Sequence, residues 1–385
     1  MPTPIFTSNY PNFQAGEPTL LSTPERTGAL TQFTGAGVTI AFIDSGFYPH
    51  PDLEGRILVH ADASTNHVTE QKTDFATNDL SWHGQMTSVI ACGDGSLSNG
   101  RYRGIASRSK LVLVKVSTPI GHIKEADILR GLRWVIDTYQ RFNVRLVNIS
   151  VGGDFVYNKA DHALHKAIRK LTKAGVTVVV AAGNRHANHL LPPASAAEAI
   201  TVGGIDDHNS LDRSKWTLYH HNYGVVYDGT AKPELVAPAN WLASPIMPHS
   251  SVAREAHWLG KLLQKPTEQE VQNLLTEGYN DLGFHKDEIK KDADLYHRLE
   301  ARIHAHKIID TQHQHVDGTS VAAPIVTSVI AQMLEANPRL TPRQIRAILT
   351  RTARQISGAP LEQQGSGILN ASAAVQAALD TTTMK

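Results

Sequence analysis

The stretch Val38-Thr-Ile-Ala-Phe-Ile-Asp-Ser-Gly46 carries the first strong fold signal in the chain. Its apolar residues follow Gly35-Ala-Gly37 without polar alternation, which is typical of a strand buried on both faces. The run ends at an acidic residue, Asp44. Because ligands of parallel sheets bind beyond the carboxyl ends of the strands, we predict that Asp44 lies at a functional edge.

Further apolar runs repeat this pattern between helical segments. Strands are predicted at 111–116, 144–150, 176–180 and 199–202, and helices at 126–139, 160–174, 320–335, 342–353 and 370–378. Apolar strands alternating with crossover helices predict an α/β fold, a mostly parallel twisted sheet with helices on both faces.

Two segments depart from this alternation. Residues 1–34 are rich in Pro, Thr, Ser and Asn, and they are interpreted as an N-terminal extension. Residues 241–315 are interpreted as a helical insertion, with one helix after Thr267 and a second whose apolar face holds Ile289, Ala293, Tyr296, Leu299 and Ile303. The insertion also holds eight of the 20 histidines, at 249, 257, 285, 297, 304, 306, 313 and 315. Its amphipathic helix either packs on the domain or contacts a partner or a second copy.

Composition excludes several classes of protein. The 37 basic and 36 acidic side chains give a net charge of +1, which argues against a nucleic-acid binder driven by bulk charge. The single cysteine, Cys92, excludes an internal disulfide framework, and no apolar run approaches 18 residues, so no membrane contact is expected. Because Met1–Tyr10 has no secretory pattern, a complete product with this start is expected to be cytoplasmic.

Four polar residues stand where predicted strands end or predicted helices begin: Asp44, His83, Asn184 and Ser320. A serine nucleophile needs a base within hydrogen-bond reach, and imidazole suits that role near neutral pH. A carboxylate on the far ring nitrogen orients the imidazole. An amide side chain and a backbone N–H at a helix start can stabilise charge on a substrate carbonyl oxygen. Together the four predict acyl transfer.

Each of these positions also has a purely structural interpretation. Asp44-Ser-Gly46 can form a plain turn, His83 can be a structural residue at a helix start, and Gly318-Thr-Ser320 can be an N-cap. All four occur in one chain on a parallel α/β frame, with small residues around each reactive group. We therefore favour the catalytic interpretation.

The chain resembles the subtilisin-like serine proteases, the subtilases, from about residue 35 to residue 378, apart from the insertion. The stretches that carry the resemblance are Ile43-Asp-Ser-Gly46, His83-Gly84, Leu146-Val-Asn-Ile-Ser-Val-Gly-Gly153, Ala182-Gly-Asn184, Lys232-Pro-Glu-Leu-Val-Ala-Pro238 and Gly318-Thr-Ser-Val-Ala-Ala-Pro324. It implies a peptidase domain at 35–385, interrupted at 241–315. It also implies that Ser320 is the nucleophile, His83 the general base and Asp44 its orienting carboxylate.

The resemblance further implies an oxyanion hole and a peptide-binding cleft. Asn184 would act with the Ser320 backbone N–H on the oxyanion. The residues that would bind substrate are Ser150, Val151 and Gly152 as one antiparallel edge, Gly121, His122 and Ile123 as the opposite edge, and Ala181, Ala182 and Gly183 as a pocket lining. Pairing through main-chain hydrogen bonds leaves side-chain selectivity to pockets.

Three features depart from the family pattern. The segment 185–193 is not glycine- and serine-rich, so the preference of its pocket is open. The loop 94–100 is short for the calcium loop of many relatives, so structural calcium is left open, and no metal ligand is assigned. Because residues 1–34 are too few for a folded prodomain, we hypothesise that residues 1–25 lie across the cleft and restrain activity.

The predicted function is a serine endopeptidase that forms a Ser320 acyl-enzyme and needs no cofactor for its chemistry. Its expected partners are peptide or protein substrates. Two alternatives remain at this point. One is a catalytically silent scaffold that binds peptides, and the other is an exopeptidase or dedicated maturase restricted by the insertion at 241–315.

Overall fold

The computed structural model of the chain describes residues 5–71, 77, 80–286 and 294–381. Its contacts divide the chain into two units. The large unit comprises Ser22–Asn240 with Asp317–Lys385, and the small unit comprises Met1–Leu21 with Trp241–Val316. The predicted insertion therefore corresponds to most of the small unit, and the predicted extension at 1–34 is divided between the units at Ser22.

The large unit is built on one main sheet. The strands of this sheet are β1 (Thr39–Asp44), β2 (Ile57–Asp62), β3 (Thr69–Gln71), β4 (Lys110–Lys115), β5 (Val144–Ile149), β6 (Thr177–Ala181), β7 (Ile200–Asp206), β8 (Thr217–Leu218) and β11 (Leu235–Pro238). Two further strands, β9 (Gly224–Val225) and β10 (Ala231–Lys232), form a separate antiparallel pair. The sheet runs β11-β7-β6-β5-β1-β4-β2-β3, and β8 pairs with β7. Neighbours from β11 to β2 are parallel, whereas β3 and β8 are antiparallel. The predicted mostly parallel sheet is confirmed.

Helices cover both faces of this sheet. Those of the large unit are α1 (Thr23–Thr27), α2 (Ser81–Cys92), α3 (Glu125–Thr138), α4 (Ala163–Lys173), α8 (Thr319–Ala336), α9 (Pro342–Thr352), α10 (Leu361–Gln364) and α11 (Ala371–Asp380). Apolar side chains of α3 and α4 share one core with alternate residues of β1, such as Ala41 and Ile43. Helix α8 packs against β5, β6, β7 and β11. Of the described helices, α8 alone is long and apolar enough to cross a membrane, and 83% of it is buried inside the protein.

Four strands of the main sheet, β2, β3, β8 and β11, are absent from the sequence-based prediction. Strand β2 reads Ile-Leu-Val-His-Ala-Asp, where His60 breaks the apolar run. Strand β11 lies within the motif 232–238, for which no strand is predicted, and it ends at Pro238. Proline is tolerated at a strand end on the edge of a sheet, and β11 is an edge strand of the main path. Its pairing with β7 is a tertiary contact that the local pattern does not reveal.

The small unit has its own apolar core. It contains helices α5 (Ser251–Leu262), α6 (Glu268–Gly278) and α7 (Leu295–Ala305), and the strand pair β12 (Leu242–Pro245) and β13 (His313–Val316). Leu299 and Ile303 of the predicted apolar face lie in this core, and Tyr296 packs against it. Ile289 and Ala293, predicted on the same face, lie outside the described residues.

The N-terminal segment is part of this core. Phe6 is buried in the apolar cluster of the small unit, and its ring lies 5.9 Å from that of Tyr296. The Gly16 N–H donates to the Leu263 carbonyl at 2.9 Å, and the Ser8 hydroxyl donates to the Ile308 carbonyl at 2.8 Å. Residues 5–21 are therefore held by hydrogen bonds to main-chain carbonyls and by apolar burial.

Four of the eight histidines of the small unit form hydrogen bonds to groups of the same unit. Their nearest polar partners are the Thr7 carbonyl for His304 (2.9 Å), Glu255 for His306 (3.2 Å), Asp310 for His313 (2.9 Å) and Asn9 for His315 (2.7 Å). His313 and His315 are buried on strand β13. Within the described ranges, no group of three or more His, Cys, Asp or Glu side chains is placed to hold a metal ion. Local hydrogen bonding accounts for these four histidines.

Candidate active site

The candidate catalytic residues of the large unit meet at one edge of the sheet. Asp44 is the last residue of β1, Ser150 follows β5, and Ala181 ends β6. These three strands are neighbours in the order β6-β5-β1 and run parallel, so their carboxyl ends lie side by side. Residues far apart in the sequence are thereby brought to the position where α/β sheets bind ligands.

Asp44 and His83 form a close pair at this edge. His83 Nδ1 lies 2.5 Å from Asp44 Oδ1. Asp44 is fully buried, while the His83 side chain keeps 22% of its surface exposed. The ring nitrogen away from Asp44 is therefore the one available for chemistry, as the orienting role of the carboxylate requires.

The environment of Asp44 holds its carboxylate in a defined orientation. Oδ1 also accepts the Ser45 backbone N–H at 2.7 Å, and Oδ2 accepts the Thr87 hydroxyl at 3.0 Å. Thr87 stands four residues after His83 on α2, so both side chains share one face of the helix. Gly84 lets this helix lie close to the Gly46 carbonyl, because a Cβ at position 84 would collide with that oxygen.

The charge of Asp44 controls the titration of His83. Burial by itself lowers the pKa of the imidazole, but attraction and hydrogen bonding to the Asp44 carboxylate outweigh it and raise the pKa above its ordinary value of 6.5. A raised pKa strengthens His83 as a base. It also means that the ring is protonated, and inactive as a base, at a higher pH than a free histidine.

Ser320 is the second residue of helix α8 and lies at the same edge. The helix is preceded by Gly318, whose φ of +134° lies in the region that favours glycine. The Ser320 hydroxyl donates to the Ser150 carbonyl at 3.3 Å. To be activated, the hydroxyl must exchange this acceptor for the His83 ring, and such catalytic hydrogen bonds often form only with substrate bound.

The amide of Asn184 is oriented by the residue before Ser320. Asn184 Oδ1 accepts both the backbone N–H and the hydroxyl of Thr319, each at 2.9 Å. This leaves the Nδ2 donor on the other side, 3.4 Å from where a Cβ of Gly318 would lie. The backbone nitrogen of Ser320 lies 3.7 Å from the same point, so the two candidate oxyanion donors border one space.

Replacing this donor tests its role. We expect Asn184→Ala to lower kcat about 10²–10³-fold with little change in KM, as for one oxyanion donor of subtilisin, because the amide acts on charge that develops only in the transition state. Steady-state kinetics on a peptide substrate measure this. Asn188→Ala, an exposed residue of the same loop, is the matched control. An unchanged kcat in the Asn184 variant would assign the oxyanion to other donors.

One predicted substrate edge is open in the structure. Val151 and Gly152 make no hydrogen bond through their backbone groups to any described part of the chain, and Gly152 is exposed. A Cβ added to Gly152 would meet no atom within 4 Å. Unpaired backbone groups at such an edge can pair with an extended peptide.

The other predicted edge follows β4, on the far side of β1. Gly121, His122 and Ile123 lie in a tight turn in which the Thr118 N–H donates to the His122 carbonyl at 2.8 Å. Gly121 and Ile123 are half-buried and His122 is exposed. Because β4 and β5 flank β1, the segments that follow them stand on opposite sides of Asp44.

The predicted pocket lining is formed where β6 ends. Ala182 is buried, whereas Ala181 and Gly183 are half-buried. Gly183 has a φ of +97°, and a Cβ there would lie 2.9 Å from Asn222 Nδ2, so a larger residue would strain this wall. A hydrogen bond connects the segment 185–193 to the residue that follows the substrate edge at 150–152: the Gly153 N–H donates to the Pro192 carbonyl at 2.7 Å.

The loop predicted to be short for calcium is held by its own hydrogen bonds. Asp94 Oδ1 accepts the Ser96 N–H, and Asp52 Oδ1 accepts the Leu97 N–H at 3.1 Å. One oxygen of each carboxylate thus holds the backbone of this loop. The thiol of Cys92 is not suited to act as a nucleophile, because burial raises its pKa to about 12.

Two residues that position the catalytic groups are missing from the sequence-based set. Thr87 could have been found from its i, i+4 spacing to His83 on a helix. Thr319 lies inside the serine motif, but its bonds to Asn184 join residues 135 positions apart, which no local pattern indicates.

Known proteins resemble the chain along most of its length. The model of the family described as "Subtilase family" matches residues 35–367. Serine protease AprX of Bacillus subtilis is 29% identical over 347 residues, which cover 88% of this chain and 66% of that protein. Subtilisin-like protease 3 of Pseudogymnoascus destructans is 32% identical over 199 residues, 50% of this chain and 43% of that protein. The chain thus spans less than two thirds of the length of these relatives.

Solved structures show the same fold. A protease from Pseudoalteromonas arctica superposes with a TM-score of 0.62 at 23% identity, covering 97% of this chain and 99% of that one. Fervidolysin of Fervidobacterium pennivorans gives a TM-score of 0.62 at 19% identity over 97% of this chain and 51% of that one.

Proposed function

The chain belongs to the subtilase family of subtilisin-like serine proteases, and on that premise we propose that it is a serine endopeptidase that cleaves peptide bonds through a Ser320 acyl-enzyme. The observation that carries the proposal is the 2.5 Å pair of His83 Nδ1 and Asp44 Oδ1 at the sheet edge where the first turn of α8 holds Ser320. A base oriented in this way is what a serine nucleophile needs.

The proposed reaction uses groups of the protein alone. Ser320 Oγ attacks the substrate carbonyl carbon as His83 removes the hydroxyl proton. The Asn184 amide and the Ser320 backbone N–H stabilise the oxyanion, and His83 then gives the proton to the leaving amine. Water, activated by His83, hydrolyses the acyl-enzyme. The Asp44 carboxylate orients the ring and stabilises the imidazolium in each step.

A fluorophosphonate probe and mass spectrometry test the proposal. We expect covalent labelling of Ser320 in the full-length chain and no labelling of Ser320→Ala. A denatured protein mixture should be cut at internal bonds. Absence of labelling in a well-folded protein, full-length and lacking residues 1–25, would favour the silent scaffold. Release of short fragments from one terminus only would favour the exopeptidase or maturase.

The N-terminal segment is proposed to restrain the activity. Deleting residues 1–25 is then expected to raise kcat/KM on a peptide substrate. Thermal unfolding must be measured in parallel, because the deletion also removes Phe6 from the core of the small unit. A folded deletion variant with unchanged kcat/KM contradicts the restraint.

Location and assembly are also part of the proposal. We propose that the protein is cytoplasmic. Its one cysteine is buried, so it has no internal disulfide to form and needs no oxidising compartment. A partner or second copy would contact the small unit. Fractionation of cells and size-exclusion chromatography with light scattering test these two statements.

A further inference from the structure

A cavity of about 280 Å³ lies beside the edge strand β11 of the large unit. Three apolar side chains, Ile356, Ile368 and Leu369, form part of its lining. Ile368 is buried and its backbone bridges to Val236 of β11, and Ile356 packs against the same apolar cluster. Small-molecule sites have volumes of about 300–1,000 Å³, so this cavity is near the lower end of that range. It therefore has room for a small organic molecule.

Two arginines line the same cavity. Arg213 and Arg354 are both exposed, so a ligand from solvent can reach them. None of the described residues that line the cavity is acidic. Neither arginine forms an ion pair with a carboxylate of the described ranges. Asp212, the neighbour of Arg213 in the sequence, accepts the Ser214 hydroxyl at 2.7 Å and lies 3.8 Å from Lys215 Nζ. Two positive charges thus remain at the cavity without an acidic partner.

The main chain holds both arginines in place. Arg213 begins the short 3₁₀ turn Arg213–Lys215, whose N-cap Asp212 accepts the Ser214 N–H at 3.1 Å. The Arg354 N–H donates to the Ile368 carbonyl at 2.9 Å, and the Arg354 carbonyl accepts the Ile368 N–H at 2.7 Å. Because these segments are anchored before a ligand arrives, binding at the cavity orders little additional backbone.

Each guanidinium keeps N–H donors for a ligand. The Arg213 side chain makes no hydrogen bond within the described part of the chain, and its guanidinium carbon lies 5.6 Å from the centre of the Trp216 ring. With its oxygen towards Arg354, the Asn370 amide accepts Nε at 3.0 Å and Nη2 at 3.2 Å. A guanidinium has five N–H donors, so three remain on Arg354. Burial, and after it the positive charge of Arg354, lower the pKa of Arg213, so the two guanidiniums repel each other.

An anion that contacts both guanidiniums would remove this repulsion. A phosphate monoester carries about two negative charges at neutral pH, whereas a carboxylate carries one. Arginine also forms paired hydrogen bonds with phosphate oxygens, and such charge-assisted bonds are stronger than neutral ones. The apolar part of the lining favours an organic group on the phosphate over a bare phosphate ion.

We propose that Arg213 and Arg354 bind the phosphate group of a small organic phosphate, whose apolar part lies against Ile356, Ile368 and Leu369. None of Asp44, His83, Asn184 and Ser320 lines this cavity. The proposed site is therefore separate from the candidate active site, and it goes beyond the proposed function.

Isothermal titration calorimetry of the full-length chain at low ionic strength tests the proposal, with phenyl phosphate, inorganic phosphate and benzoate as probes. We expect one phenyl phosphate to bind per chain. Inorganic phosphate lacks the apolar part and benzoate carries a single charge, so each should bind about tenfold more weakly. Arg213→Gln and Arg354→Gln should each weaken phenyl phosphate binding at least about tenfold. Arg354→Lys should fall between Arg354→Gln and the wild type, because it keeps the charge but loses the planar fork.

Arg351→Gln is the matched control, because it removes one positive charge from an exposed position in the last turn of α9, outside the cavity. It should bind phenyl phosphate as the wild type does, and thermal unfolding should show that all the variants are folded. Absence of phenyl phosphate binding to the folded wild type overturns the inference, and so does an unchanged Kd in both Gln variants. Equal affinity for phenyl phosphate and benzoate, or for phenyl phosphate and inorganic phosphate, contradicts an organic phosphate as the ligand.

Discussion

Replacing Ser320 by alanine is expected to lower kcat on a peptide substrate about 10⁶-fold, the largest loss we predict for this chain. The substitution removes the only atom that the proposed mechanism uses to form the acyl-enzyme. His83 and the oxyanion donors remain, so a small residual rate over water is expected. KM should change little, because the substrate edges at 121–123 and 150–152 are untouched.

The measurement is steady-state kinetics with active-site titration, so that traces of wild-type enzyme are recognised. Ser357→Ala, an exposed serine of the large unit, is the control and should retain full kcat. Thermal unfolding of Ser320→Ala should match the wild type, since the side chain makes a single 3.3 Å hydrogen bond to Ser150 as a donor. A folded Ser320→Ala variant with appreciable turnover would show that another nucleophile acts.

Asp44→Asn is expected to lower kcat about 10⁴-fold and to move the pH profile. In the wild type, the Asp44 carboxylate raises the pKa of His83 above 6.5. His83 must be neutral to act as a base. We therefore expect kcat/KM to be highest above this pKa and to fall as the pH is lowered through it. In Asp44→Asn the carboxylate is gone while burial, which lowers the pKa, remains. The residual activity should therefore persist to lower pH than in the wild type.

The pH dependence of kcat/KM measures this shift, with Asp137→Asn as a control that should keep the wild-type profile. A fall in kcat without a shift of the acid limb would mean that another group sets that limb. An unchanged kcat would contradict the orienting role of Asp44. Thermal unfolding is needed here because Asp44 is fully buried and accepts hydrogen bonds from Ser45 and Thr87.

Elements with strong local patterns can be predicted to within a few residues. The sequence predicts β1 at 38–43 and the buried helix at 320–335, and the structure has them at 39–44 and 319–336. Strand β11 escapes prediction because its four residues carry two signals at once, an apolar run and a terminal proline. Its identity as a strand depends on β7, which a local pattern does not contain.

The candidate site also has a part that the sequence predicts and a part that it does not. The residue types Asp44, His83, Asn184 and Ser320 could be recognised because each stands at the end of a strand or near the start of a helix. The geometry of these residues could not be recognised from the sequence. The orientation of the Asn184 amide depends on Thr319, and the carboxylate orientation of Asp44 depends on Thr87, so both depend on how α8 and α2 pack at the sheet edge.

By itself the sequence determined the alternation of strands and helices, the chemical groups for acyl transfer and the histidine-rich insertion, because periodicity and motif spacing are local properties. Only the tertiary structure decided that residues 5–21 pack into the core of the small unit, and that the Glu125 side chain fills the space that a side chain at Gly153 would need. Thr7 and His304 are 297 residues apart in the chain, yet they are hydrogen-bonded. Contacts of this kind follow from packing and from the absence of a side chain, neither of which a periodic pattern records.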